Sequence, residues 1–175
     1  MPSMHDPLLM LNLALEGFRT AKHRYEGSDS SKYAYEVFVP LAEALWWARS
    51  VDEGFENLDG DPYKAERDAH ASGRVLPGLR FARNRTNHQQ ALMVTKRNGV
   101  TWPVTWPIRW VSIDWRPLAE LPPGRPDTNG ERHYSLYLEG GSARDTLDSA
   151  AEWFGVAMRR QGTKFASDHR GSTTP

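Results

Sequence analysis

The chain has 175 residues with 22 basic and 22 acidic side chains, so it is neutral overall, which argues against bulk coating of nucleic acid but leaves room for a local basic site. It has no cysteine, which excludes disulfides, thiolate catalysis and cysteine-based zinc sites together and suits a reducing compartment. Its 39% hydrophobic and 25% charged content reads as one soluble globular domain, and no apolar run approaches the length of a membrane span.

Residues 7–26 carry Leu8, Leu11, Leu15 and Phe18 at helical spacing, with Asp6 as cap and Pro7 at the first position. No basic leader precedes this run, which reads as no signal peptide and a cytoplasmic chain. Gly27-Ser28-Asp29-Ser30 reads as a loop. A second helix follows over about residues 31–58, with Tyr33, Val37, Leu41, Ala44, Leu45, Ala48 and Val51 or Asp52 along one face. Pro40 lies inside it and should kink it or divide it in two. A short helix spans about residues 62–69, and Gly73 separates it from a basic helix over about residues 74–95, closed by the turn signal Asn98-Gly99.

The character then changes. Residues 101–110 alternate strictly, with Trp102, Val104, Trp106, Ile108 and Trp110 on one side, which predicts an extended strand that its two prolines place at an edge or make polyproline-like. Residues 111–115 continue it, residues 117–130 read as a long loop, and residues 133–138 alternate as a second strand. Ser142 caps a last helix running to about Arg160, with Leu147, Ala150, Ala151, Phe154 and Met158 on its apolar face. The order of elements predicts a mainly α fold, a helical bundle with a small Trp-rich β insertion over about residues 100–138 before the last helix. Residues 1–162 form a single domain, and residues 163–175 a flexible polar tail.

From Ala69 to Ile113 the chain has no acidic residue, yet it holds Arg74, Arg80, Arg83, Arg85, Lys96, Arg97 and Arg109. That uncompensated positive charge points to an anionic ligand. Inside the stretch lies Arg83-Asn84-Arg85-Thr86-Asn87-His88, an R-N-x3-H pattern. A neutral imidazole can take the proton of a ribose 2′-hydroxyl, a guanidinium can clamp the attacked phosphate, and an amide can orient either. That chemistry requires no metal or other cofactor. Arg80, Arg85, Lys96 and Arg97 flank the motif as RNA contacts, and Asp52, in step with the core-facing stripe of the second helix, is the carboxylate placed to support His88 or Arg83. Arg83 and His88 stand five apart, about 140° around a straight helix, so one straight helix does not easily aim both at one phosphate. Either the helix kinks there or the site is shared between two copies.

Arg83, Asn84 and His88 match, in order and spacing, the pattern of the HEPN family, and residues 7–95 offer a compatible helical setting. The chain thus resembles HEPN proteins, helical bundles many of which are ribonucleases and toxins of bacterial defence systems. The resemblance implies a metal-independent endoribonuclease that leaves 2′,3′-cyclic phosphate ends, with His88 as general base, Arg83 as phosphate clamp and Asn84 as orienting amide. It also implies a homodimer whose motifs face each other across a two-fold axis. Gln90 stands where some members carry a nucleotidylated tyrosine. Such an activity would harm its host, which makes an inhibitory partner protein an expectation.

Two other readings of the same residues stay open. A non-catalytic HEPN-like protein would use the basic helix to bind RNA, a nucleotide or an acidic protein. Alternatively, His88 lies on a stripe with Phe81, Asn84 and Leu92, and Arg83 can pair with one of the seven acids between Asp52 and Asp68, making the motif purely structural. The tryptophans at 102, 106 and 110 suit either base stacking or ordinary packing.

Overall fold

The computed structural model describes residues 6–28, 34–89, 91–98 and 111–160. Its elements in chain order are α1 (Pro7–Gly27), α2 (Ala34–Asp59), α3 (Asp61–Ala69), α4 (Leu76–Gln89), β1 (Val94–Asn98), β2 (Val111–Trp115), a 3-10 turn (Leu118–Glu120), α5 (Thr128–Tyr137) and α6 (Ala143–Arg159). The fold is mainly α with a small antiparallel sheet. The alternating segment 101–110 with its tryptophans, and the tail 163–175, lie outside the described residues. Among the described residues no helix is long and apolar enough to cross a membrane.

The capping signals at both ends of the chain act as their chemistry requires. The Asp6 carboxylate accepts from the backbone N–H of Leu8 at 3.0 Å and of Leu9 at 3.3 Å, and Pro7 takes a helix position whose N–H would have no partner. Leu11, Ala14, Phe18, Ala21 and Tyr25 form the buried stripe of α1. At α6 the Ser142 hydroxyl accepts from Asp145 N–H at 3.3 Å, and the buried stripe runs through Leu147, Ala150, Trp153, Phe154 and Ala157. Met158, expected on that face, is exposed.

Helix α2 runs unbroken through Pro40, so the expected division does not occur. Proline removes one backbone bond, an interior cost of about 3 kcal/mol. Against it stands the burial of Val37, Leu41, Ala44, Leu45, Ala48, Val51 and Phe55 along one continuous face. Leu11 of α1 meets Gly54, Gly17 meets the Trp47 ring, and Arg24 pairs with Glu43, so α1 and α2 run antiparallel. Phe18 of α1 meets Phe154 of α6 edge-on, ring centroids 5.2 Å apart. The Trp153 indole donates to the Tyr63 hydroxyl at 3.0 Å, and that hydroxyl donates to Asp52 at 2.8 Å, tying α6 to α3 and α2.

Two expected elements differ. The basic helix ends at Gln89, and residues 94–98 are a strand paired with β2 in the register Val94↔Trp115 to Asn98↔Val111. The helical stripe breaks there because Leu92 faces solvent while Met93 and Val94 are buried, and Ala91 N–H turns back to the Arg85 carbonyl at 3.1 Å. Residues 133–138 are not a strand, since helix α5 takes all of them but the last. The Asp127 carboxylate starts that helix by accepting from Gly130 N–H at 2.9 Å. Gly130, Tyr134 and Leu138 are then buried at intervals of four while Leu136 is 58% exposed, so period four overrides period two. The described β structure therefore comprises residues 94–98 and 111–115, between α4 and α5, and two helices follow it.

Candidate functional site

Helix α4 is pinned by its apolar side. Leu76, Leu79, Phe81 and Ala82 are buried, Phe81 packs on Tyr134 of α5 with ring centroids 5.4 Å apart, and α2 covers another flank. That leaves Arg83 and Asn84 half-buried and His88 exposed at the C-terminal turn.

Arg83 Nη1 lies 3.1 Å from His88 Nε2 within one chain and one helix. One helix thus brings the two side chains into contact, because the long arginine side chain spans the angular gap. A guanidinium only donates, so in this contact Nε2 is the accepting nitrogen. The Asn84 carbonyl oxygen accepts from Arg83 Nη1 at 3.3 Å and from Arg49 Nη1 of α2 at 3.1 Å. Two donors on one oxygen fix the amide's orientation. Burial, and then the like charge of Arg49, hold the Arg83 guanidinium below its usual value.

Charge accounting sets Arg83 apart. Each acid from Asp52 to Asp68 meets a cation other than Arg83: Asp52 and Asp68 meet Arg67, Glu53 meets Arg49 and Arg80, Glu56 and Asp61 meet Lys64, and Asp59 and Glu66 meet Arg160. Among the described residues, no carboxylate lies within 4.0 Å of the Arg83 guanidinium nitrogens, and its Nε is buried without an acceptor. The helix end contributes about half a negative charge. The guanidiniums, not the helix dipole, therefore make this spot attractive to an anion.

The other expected residues fall in different places. Asp52 is 2% exposed, and its carboxylate takes Arg67 Nη1 at 3.0 and 3.1 Å and the Tyr63 hydroxyl, so its hydrogen bonds go to the core rather than to the motif. Burial pushes its carboxyl up, and Arg67 pulls it back down. The carboxylate beside the cluster is instead Glu53, which accepts from Arg49 Nε at 2.8 Å and Arg80 Nη2 at 3.1 Å. Arg80 is thus ion-paired. Arg85 is buried, donates to the Pro122 carbonyl and stacks over Phe81, which removes it from any RNA-facing surface. Arg97 pairs with Asp114 at 3.0 Å on the sheet, and Lys96 is exposed beside it. Among the described residues no group of three His, Asp or Glu side chains gathers as a metal site would.

Arg49 was not singled out by its sequence. The available signal was its place four residues after Leu45 and four before Glu53, at the border of the buried stripe of α2. The cluster that results is donor-rich and reachable by solvent: two guanidiniums, an amide and an imidazole, with the Glu53 carboxylate beside them. No protein-family model, no curated protein and no solved structure matches this chain.

Proposed function

We propose that the chain is a metal-independent endoribonuclease of HEPN type, acting through Arg83, Asn84 and His88. The observation that carries this reading is the 3.1 Å approach of Arg83 Nη1 to His88 Nε2, with no carboxylate of the described residues within 4.0 Å of the guanidinium nitrogens. A phosphate is a stronger acceptor for a guanidinium than an imidazole is. When Arg83 turns to a phosphodiester, the lone pair on His88 Nε2 is released. It takes the proton from the ribose 2′-hydroxyl, and the 2′ oxygen attacks phosphorus. The bond from phosphorus to the 5′ oxygen breaks, and that oxygen leaves with a proton from solvent. The products are a 2′,3′-cyclic phosphate and a 5′-hydroxyl. Arg83 and the Asn84 NH2 hold the phosphate oxygens as charge gathers on them. A cytoplasmic homodimer restrained by an inhibitory partner protein is part of this reading.

The test is cleavage of total RNA in EDTA by the wild type, His88→Ala and Arg83→Ala, each with a native circular dichroism spectrum. The wild type cleaves and leaves cyclic-phosphate ends. His88→Ala loses about 10²–10⁴-fold of the rate and Arg83→Ala about 10²–10³-fold. Cleavage that persists unchanged in either variant would remove this site from the activity.

A further inference from the structure

We infer that Arg49 is a second phosphate ligand of this site, so that a phosphodiester is gripped between guanidiniums from two helices. The inference rests on reading the cluster as a phosphate site and names a residue outside the R-N-x3-H pattern. Arg49 Nη1 and Arg83 Nη1 converge on one uncharged oxygen, that of Asn84, at 3.1 and 3.3 Å. Two cationic forks aimed at one acceptor form the arrangement that a bidentate oxyanion takes up. The amide holds both in place without cancelling either charge.

Glu53 offsets that charge in part, accepting from Arg49 Nε at 2.8 Å and acting on Arg83 from farther away. Glu53 is shared between Arg49 and Arg80, and Glu56, 3.8 Å from Arg80, lies equally close to Lys64. Arg49 spends Nε on Glu53 and Nη1 on Asn84, which leaves Nη2 for a ligand, and its side chain is 29% exposed. A bound phosphate oxygen would further offset the repulsion between Arg49 and Arg83, which Glu53 already reduces. The ligand class is a phosphodiester of single-stranded RNA.

The competing role for Arg49 is a tie between α2 and α4 that never meets RNA. The two roles differ in sign at Glu53. If Arg49 is a ligand, removing the carboxylate that competes for it leaves binding equal or tighter. If Arg49 is only a tie, loosening it through Glu53 weakens binding as its own loss does.

The experiment is fluorescence anisotropy with a single-stranded 2′-O-methyl RNA oligonucleotide, which cannot be cleaved. Wild type, Arg49→Gln, Arg49→Lys and Glu53→Gln are titrated over a range of sodium chloride, with folding checked by circular dichroism. Arg49→Gln is expected to weaken binding about tenfold and to lower the slope of log Kd against log salt by about 0.7, the increment for one single-strand phosphate contact. Arg49→Lys keeps the slope and loses affinity, because it keeps the charge without the fork. It decides the matter should Arg49→Gln fail to fold. Glu53→Gln binds at least as tightly as the wild type. Wild-type affinity and slope in Arg49→Gln, equal weakening by Glu53→Gln, or a wild type that does not bind the oligonucleotide would each overturn the inference. If this pattern holds while the wild type cleaves no RNA, the ribonuclease reading falls and Arg49 stands as an RNA-binding residue.

Discussion

The guanidinium of Arg83 has a buried Nε without an acceptor and a like charge beside it in Arg49. Each raises the free energy of the folded chain. A bound phosphate would offset the repulsion that Arg83 meets. Arg83→Ala is therefore expected to leave the urea midpoint unchanged or raise it, while removing activity. A loss above about 2 kcal/mol would mark Arg83 as a structural residue. Asp52→Ala should behave oppositely. It strands Arg67 in the core with only Asp68 beside it and leaves the Tyr63 hydroxyl without its acceptor. A destabilisation of about 3 kcal/mol is expected by urea titration. The contrast marks what was legible at this scale. Spacing along one helix exposed Arg83, Asn84 and His88. A stripe position revealed that Asp52 is buried but not which cation it meets. Arg49 lies 35 residues from Asn84, a separation that no local pattern spans.

At the scale of elements, α1 and α6 were readable because their caps and stripes are local: Asp6 with Pro7, and Ser142 with Asp145. Strand β1 and helix α5 were not, because each depends on a distant partner. Val94 takes its place from Trp115, and the start of α5 packs Gly130 on Phe81, where an added Cβ would lie 2.9 Å from the phenylalanine Cβ. The α1–α2 contact has a similar dependence at Gly17, where a Cβ would fall inside the contact distance of the Trp47 ring. Alanine would gain about 1 kcal/mol of helix propensity. Overpacking against Trp47 costs about 1–3 kcal/mol, so Gly17→Ala is expected to lower stability. The same change in a Trp47→Leu background should cost less or become favourable, a coupling readable from a urea double-mutant cycle. Equal cost in both backgrounds would mean that the indole does not set this approach.

At the scale of the whole molecule, the intrachain contact changes what oligomerisation has to explain. Sequence geometry left either a kinked helix or a site shared between copies, because Arg83 and His88 stand on different faces of a straight helix, and the HEPN resemblance implied the second. Their 3.1 Å approach within one chain removes that geometric reason and leaves the HEPN resemblance as the support for pairing. A subunit-mixing experiment separates the two arrangements. Arg83→Ala and His88→Ala chains would be unfolded together and refolded as a mixture, then assayed for RNA cleavage beside each variant alone. In a site built by one chain, every chain in the mixture lacks one of the two residues, so activity stays at the sum of the residual activities. If two copies shared the site, half of the random dimers would be mixed and each would carry one intact site of two, restoring about a quarter of wild-type activity. The expected outcome is no restoration, even if sedimentation finds the wild type dimeric. Association would then act through the approach of RNA or the stability of the fold, while Arg83 and His88 meet in each chain separately.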